Sequence, residues 1–179
     1  IKPRNVVRTG SDWKLIDLDA ARTLGELLDA SSKSSSGYVP PEMAFILFSG
    51  EEETKEETKD ETSGRPTKAH PTFDVWSLGV LLYQLCTEQS LFTVNVNSDN
   101  LLSDADKNRL VAWDQPSEDD LMHVFSSATS SITNAQREDA RDLIRWCLQG
   151  DSKQRPQSMD DVLCHKFLQY DRTQGIRWQ

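Results

Sequence analysis

Phe73-Asp74-Val75-Trp76-Ser77-Leu78-Gly79-Val80-Leu81-Leu82-Tyr83-Gln84-Leu85-Cys86-Thr87 is apolar almost all round. A helix with so little polar surface has no face to give to water, so residues 73–87 are expected at the centre of a domain, covered on every side. The remaining sequence must supply that cover. Downstream, Ala140, Leu143, Ile144, Cys147 and Leu148 recur at helical spacing, which predicts a helix with one apolar face. Thr133 and Gln136 form a capping-box pair at its start, and Gly150 is expected as its C-terminal cap. Ser117, followed by Glu118, Asp119 and Asp120, reads as an N-cap with acids in the first turn. Ser158 with Asp161 opens a last helix, expected to run to about Leu168.

Upstream of the central helix the pattern changes. Asn5-Val6-Val7-Arg8 and Trp13-Lys14-Leu15-Ile16 flank the turn-forming Thr9-Gly10-Ser11-Asp12, which predicts a small β-hairpin. Residues 31–37, SSKSSSG, form a polar loop by composition. Pro40-Pro41 stops any helix before it, and a short apolar patch covers residues 43–48. Residues 49–68 are acidic, threonine-rich and short of anything to bury, so they are expected as a disordered insertion within the domain. The domain itself is assigned to residues 1–170 and a C-terminal tail to 171–179.

The 179 residues carry a formal net charge of −9. Residues 51–62, EEETKEETKDET, hold seven acids against two lysines, so more than half of that charge sits in one segment and says little about the fold. No basic stripe argues for a nucleic-acid polymer as partner. The longest strongly apolar run, residues 80–86, is too short to span a bilayer. Cys86, Cys147 and Cys164 fit no zinc spacing and are odd in number, which points to buried reduced thiols and an intracellular, cytoplasmic location. His70, His123 and His165 have no spacing that suggests a metal.

Five landmarks in order resemble one family. Ile1-Lys2-Pro3-Arg4-Asn5 is similar to the second half of the protein kinase catalytic loop, H-R-D-x-K-P-x-N. Leu15-Ile16-Asp17-Leu18-Asp19 takes the place of D-F-G, and Gly37-Tyr38-Val39-Pro40-Pro41-Glu42 that of the segment ending in A-P-E. Asp74-Val75-Trp76-Ser77-Leu78-Gly79 matches D-x-W-S-x-G, and Asp151-Ser152-Lys153-Gln154-Arg155-Pro156 matches D-P-x-x-R-P. Each is weak alone; their shared order is specific. The resemblance implies a mainly α fold with a small β-hairpin: the helical C-lobe of a kinase, without the N-lobe.

It also implies a chemistry. Phosphoryl transfer is largely positioning and charge neutralisation. On this reading the cofactors are ATP and Mg2+, with Asn5 and Asp17 as metal and nucleotide ligands and Lys2 as the catalytic cation near the transferred phosphoryl. Lys2 resembles the Ser/Thr-specific enzymes, and Ser35 stands where those carry a hydroxyl that meets the catalytic loop. Glu42 and Arg155 are expected as a buried ion pair, and Asp74 as a structural carboxylate bonded to the catalytic-loop backbone. Partners would be protein substrates. Outside this context Asp17 and Asn5 would be ordinary turn residues.

The sequence departs from the family in two places. Asp19 replaces the D-F-G glycine. The aspartate of H-R-D would fall just before Ile1, and the glycine-rich loop, strand lysine and helix glutamate are not among these residues. A polypeptide of residues 1–179 is therefore expected to be inactive alone, and a pseudokinase or scaffold is the alternative to an enzyme. Residues 91–113, rich in Asn and Asp, read as a family-specific insertion; they lack the glycine and terminal glutamate of an EF-hand.

Overall fold

The computed structural model describes residues 1–48, 67–126 and 132–170. The acidic run of residues 51–62 and the tail 171–179 lie outside them. Among the described residues the chain is mainly helical, with one two-stranded antiparallel sheet. Strands β1 (Val6–Thr9) and β2 (Asp12–Leu15) pair in the register Val6↔Leu15 to Thr9↔Asp12. Gly10 turns the chain between them at φ +64°, a conformation that glycine adopts without strain.

Helix α1 (Pro41–Phe48) begins on Pro41, so the apolar patch after Pro40-Pro41 is helical. A proline fits a first turn, where no N–H is needed. Helix α2 (Pro71–Thr87) is the expected central helix, extended by two residues through Pro71. His70 caps it by accepting from the Thr72 N–H, and Glu88 ends it at φ +60°. Helices α3 (Asp104–Val111), α4 (Glu118–Met122), α5 (Asn134–Cys147) and α6 (Met159–Leu163) surround it. The capping boxes at Ser117, Thr133 and Ser158 are all formed.

Helix α2 is buried on two sides. Trp76, Val80, Tyr83 and Cys86 join Met43 and Ala44 of α1, Leu110 of α3, Leu121 of α4 and Ile144 of α5 in one core. Val75 meets Leu143, Cys147 and Val162 in another. Gly79 is what lets α5 come close. A Cβ there would lie 2.8 Å from Cys147 Cβ and 2.9 Å from Leu148 Cδ2. Among the apolar residues of the helix Leu85 is mostly exposed.

Several expectations need correction. The last helix stops at Leu163; His165 caps a separate 3-10 turn, Lys166–Gln169, by accepting from the Phe167 N–H. Gly150 lies beyond the C-cap Leu148, and its role is close backbone approach: its N–H donates to Asp114 O at 2.5 Å. The stretch 49–68 ends too late, because Lys68 bridges Leu27 and Thr67 O accepts from Leu28 N at 2.8 Å. Residues 91–113, read as a family-specific insertion, pack into the core. Leu91, Phe92, Leu101, Leu110 and Trp113 are buried, and Trp113 Nε1 donates to Leu148 O at 2.8 Å.

Cys86 and Cys147 are buried, but Cys164 is exposed. Burial pushes both buried thiols up to about 12. A maleimide should therefore modify Cys164 in the native protein and reach Cys86 and Cys147 only after denaturation. Native labelling of Cys147, read by peptide mapping, would contradict this packing.

Candidate active site

The hairpin is closed at its base by a backbone hydrogen bond, Ile16 N to Asn5 O, at 2.8 Å. Asn5 ends a 3-10 turn, Pro3–Asn5, and Asp17 follows the last strand residue by two. Both therefore stand at the same end of the hairpin. Both line one cavity of about 500 Å3, together with Lys2, Asp19, Ser35 and Asp74. Asn5 makes no side-chain hydrogen bond among the described residues, so its amide oxygen is available.

Asp17 sits at φ +60°. Aspartate tolerates this left-handed conformation better than most residues. Asp19, which stands where the family has glycine, is not in that region. Its carboxylate is held below the usual range, first by a hydrogen bond from Lys33 and then by its contact with Asp17. The same pairing raises the Lys33 ammonium. The missing glycine thus causes no backbone strain here; the left-handed residue is Asp17.

Lys2 Nζ donates to Ser35 Oγ at 2.9 Å and lies 3.0 Å from Asp99 Oδ2. Arg4 Nη1 donates to Val96 O at 3.1 Å and Asn97 O at 2.7 Å, and is 4.0 Å from the same Asp99 oxygen. Sequence reasoning missed Asp99 as a partner of Lys2. The Asn-Val-Asn-Ser-Asp-Asn run signals a turn but says nothing about which distant cation meets it.

Glu42 and Arg155 meet in a two-pronged pair, Nη1 to Oε1 at 2.9 Å and Nη2 to Oε2 at 2.8 Å. The Arg155 side chain is fully buried and also donates to Gln149 O at 2.6 Å and Gly150 O at 2.8 Å. Its guanidinium lies 5.0 Å from the ring centroid of Trp76. This links the start of α1 to α2 and to the chain after α5. Asp74, expected to meet the catalytic-loop backbone, stands beside that loop: its Oδ1 lies 3.9 Å from the Ile1 nitrogen, and its side chain makes no hydrogen bond among the described residues. It sits in the first turn of α2 and lines the cavity.

Residues 1–168 match the family model described as protein kinase domain. The chain belongs to the protein kinase family. Among solved structures, this kinase domain resembles the Cydia pomonella granulovirus kinase PK-1, with a TM-score of 0.58 and 17% identity. The match covers 94% of this chain and 52% of the viral one, so the chain spans about half the length of that kinase. At that identity the likeness concerns the fold alone. Membership makes transferase chemistry the family expectation.

Among the described residues no group of three His, Cys, Asp or Glu could hold a metal by itself. A magnesium ion needs no such cage, because it keeps waters and phosphate oxygens. Asn5 and Asp17 offer the hard oxygen donors it prefers. No helix among the described residues is long and apolar enough to cross a membrane.

Proposed function

We propose that this kinase chain is the helical C-lobe of a Ser/Thr protein kinase whose complete domain moves the γ-phosphate of ATP to serine and threonine of protein substrates. The observation that carries this is the shared cavity: Asn5 and Asp17 lie at one end of a hairpin closed by the Ile16–Asn5 hydrogen bond, with Lys2 lining the same space. Mg2+, when bound, would neutralise phosphate charge and order the triphosphate. Asn5 and Asp17 would hold it. Lys2 would place its ammonium beside the phosphoryl group, where positive charge stabilises the transition state more than the ground state. The Lys2–Ser35 bond ties the catalytic loop to the segment that precedes α1, and the Ser/Thr reading is supported by the resemblance of this lysine and hydroxyl to those of Ser/Thr-specific kinases.

A second reading has one observation in its favour. Asp19 adds a carboxylate beside Asp17, and excess negative charge there opposes a nucleotide. A pseudokinase or scaffold would keep the fold and lose the reaction. Lys33 answers that charge by pairing with Asp19, which favours the enzyme.

The test is Mg2+-dependent phosphate transfer to protein and peptide acceptors. The full-length protein should phosphorylate Ser/Thr acceptors and leave tyrosine acceptors unmodified. A polypeptide of residues 1–179 should transfer nothing measurable, because the groups that hold the rest of the nucleotide are not among them. A full-length protein that binds partners but transfers no phosphate would instead be the scaffold.

A further inference from the structure

The region after α2 does not line the cavity itself, but it reaches Lys2, which does. Residues 94–101 fold into a tight loop, closed by an isolated bridge between Val94 and Leu101. Inside it Asn95 N donates to Asn100 O and Asp99 N to Asn95 O, both at 2.8 Å. Asn95 Oδ1 accepts from Asn97 N at 2.9 Å and Ser98 N at 3.2 Å. The loop is thus organised by its own Asn side chain before it meets anything else.

Two distant segments clamp it. On one side Gly37 N donates to Asp99 O at 3.0 Å, Ser36 N to Asn100 Oδ1 at 3.0 Å, and Leu101 N to Ser36 Oγ at 2.9 Å. A Cβ on Gly37 would lie 2.9 Å from Asp99 O, so the close approach requires glycine. On the other side Arg4 donates to Val96 O and Asn97 O. At the meeting point Asp99 sits at φ +59° with its side chain 10% exposed. Among the described residues its Oδ2 accepts no well-directed hydrogen bond, so what it offers Lys2 at 3.0 Å is negative charge.

We infer that Asp99 is a positioning residue for Lys2: the 94–101 loop is a rigid platform that fixes the Lys2 ammonium between a buried carboxylate and the Ser35 hydroxyl. A lysine ammonium has three donors. Ser35 takes one and the Asp99 charge restrains another direction, which leaves the third for a phosphoryl oxygen. A long lysine chain loses little further freedom on reaction if it is held this way beforehand. The catalytic part of this inference rests on the proposed kinase reading; the restraint on Lys2 does not.

The test uses Asp99→Asn in the full-length protein. Asparagine accepts the left-handed backbone and keeps the size of the side chain, so the loop and its carbonyl bond to Gly37 are retained while the charge is lost. The first readout needs no nucleotide. In the wild type, Lys2 should react with an amine-acylating reagent more slowly than the exposed Lys153. Asp99→Asn should raise the Lys2 rate about fivefold and leave Lys153 unchanged, as expected when a partly buried ion pair is removed. Equal labelling of Lys2 and Lys153 in the wild type overturns the inference even if the variant fails to fold. So does a Lys2 rate unaltered by the substitution.

The second readout is kinetic. Asp99→Asn should lower kcat about tenfold with KM for ATP within about twofold, the signature of an interaction used in the transition state. In a Lys2→Met background the same substitution should change kcat by less than about twofold, since Asp99 acts through Lys2. An undiminished effect in that background would make Asp99 merely structural and refute the inference. Absence of turnover in the wild type would instead defeat the kinase reading, and labelling alone would then decide the role of Asp99.

Discussion

Glu42→Ala is expected to destabilise the fold by about 3 kcal/mol, the lower end of the range for breaking a buried ion pair. The lower end applies because Glu42 keeps 24% exposure while the Arg155 side chain has none. With Glu42 gone, the guanidinium stays in the core with only the carbonyls of Gln149 and Gly150, a long contact to Thr72 O at 3.4 Å, and the face of Trp76. Carbonyl dipoles do not neutralise a charge. Glu42→Gln should cost less, because one acceptor remains. Replacing both partners with apolar residues should recover much of the loss, since the pair itself repays its desolvation only in part. Urea unfolding of the full-length protein reads all three. Domains are held by only about 5–15 kcal/mol, so the Glu42→Ala midpoint should fall visibly. A midpoint equal to that of the wild type would mean that Arg155 is solvated or otherwise paired.

What could be read from the sequence was what is local or strongly patterned. The central helix was legible because residues 73–87 leave no polar face to argue over. The capping boxes at Thr133 and Ser158 were legible because four consecutive residues contain the whole signal. The break at Cys164 was not, since no glycine or proline marks it and His165 restarts the chain through its own ring. The buried Phe92 and Trp113 were hidden in a stretch rich in Asn and Asp, including Asn95, Asn97 and Asp99, which made it look like a family-specific insertion. At the site, the stretch that gathers Asn5 and Asp17 is thirteen residues of contiguous sequence. The Lys2–Asp99 contact spans most of the domain and depends on how the 94–101 loop is clamped, which no local pattern encodes.

Asp17 is where loss of a single charge should cost the most activity. Asp17→Ala in the full-length protein should lower Mg2+-dependent nucleotide binding and phosphate transfer by about 10²–10³-fold, the scale on which single electrostatic contacts act in water-poor sites. Alanine alone would be ambiguous, however. Asp17 lies at φ +60°, and alanine resists that conformation by about 1–2 kcal/mol where aspartate and asparagine resist it less. Some of the loss could then come from a distorted hairpin base. Asp17→Asn separates the two causes: it keeps the backbone preference and the size and removes only the charge. It should unfold at the wild-type temperature yet bind the magnesium–nucleotide complex as poorly as the alanine variant. Asp19 should not substitute, because Lys33 already holds its carboxylate. Calorimetry with Mg2+ and ATP gives the answer directly. Wild-type affinity in Asp17→Asn would remove the metal role from Asp17 and, with it, the main support for nucleotide chemistry at this end of the hairpin.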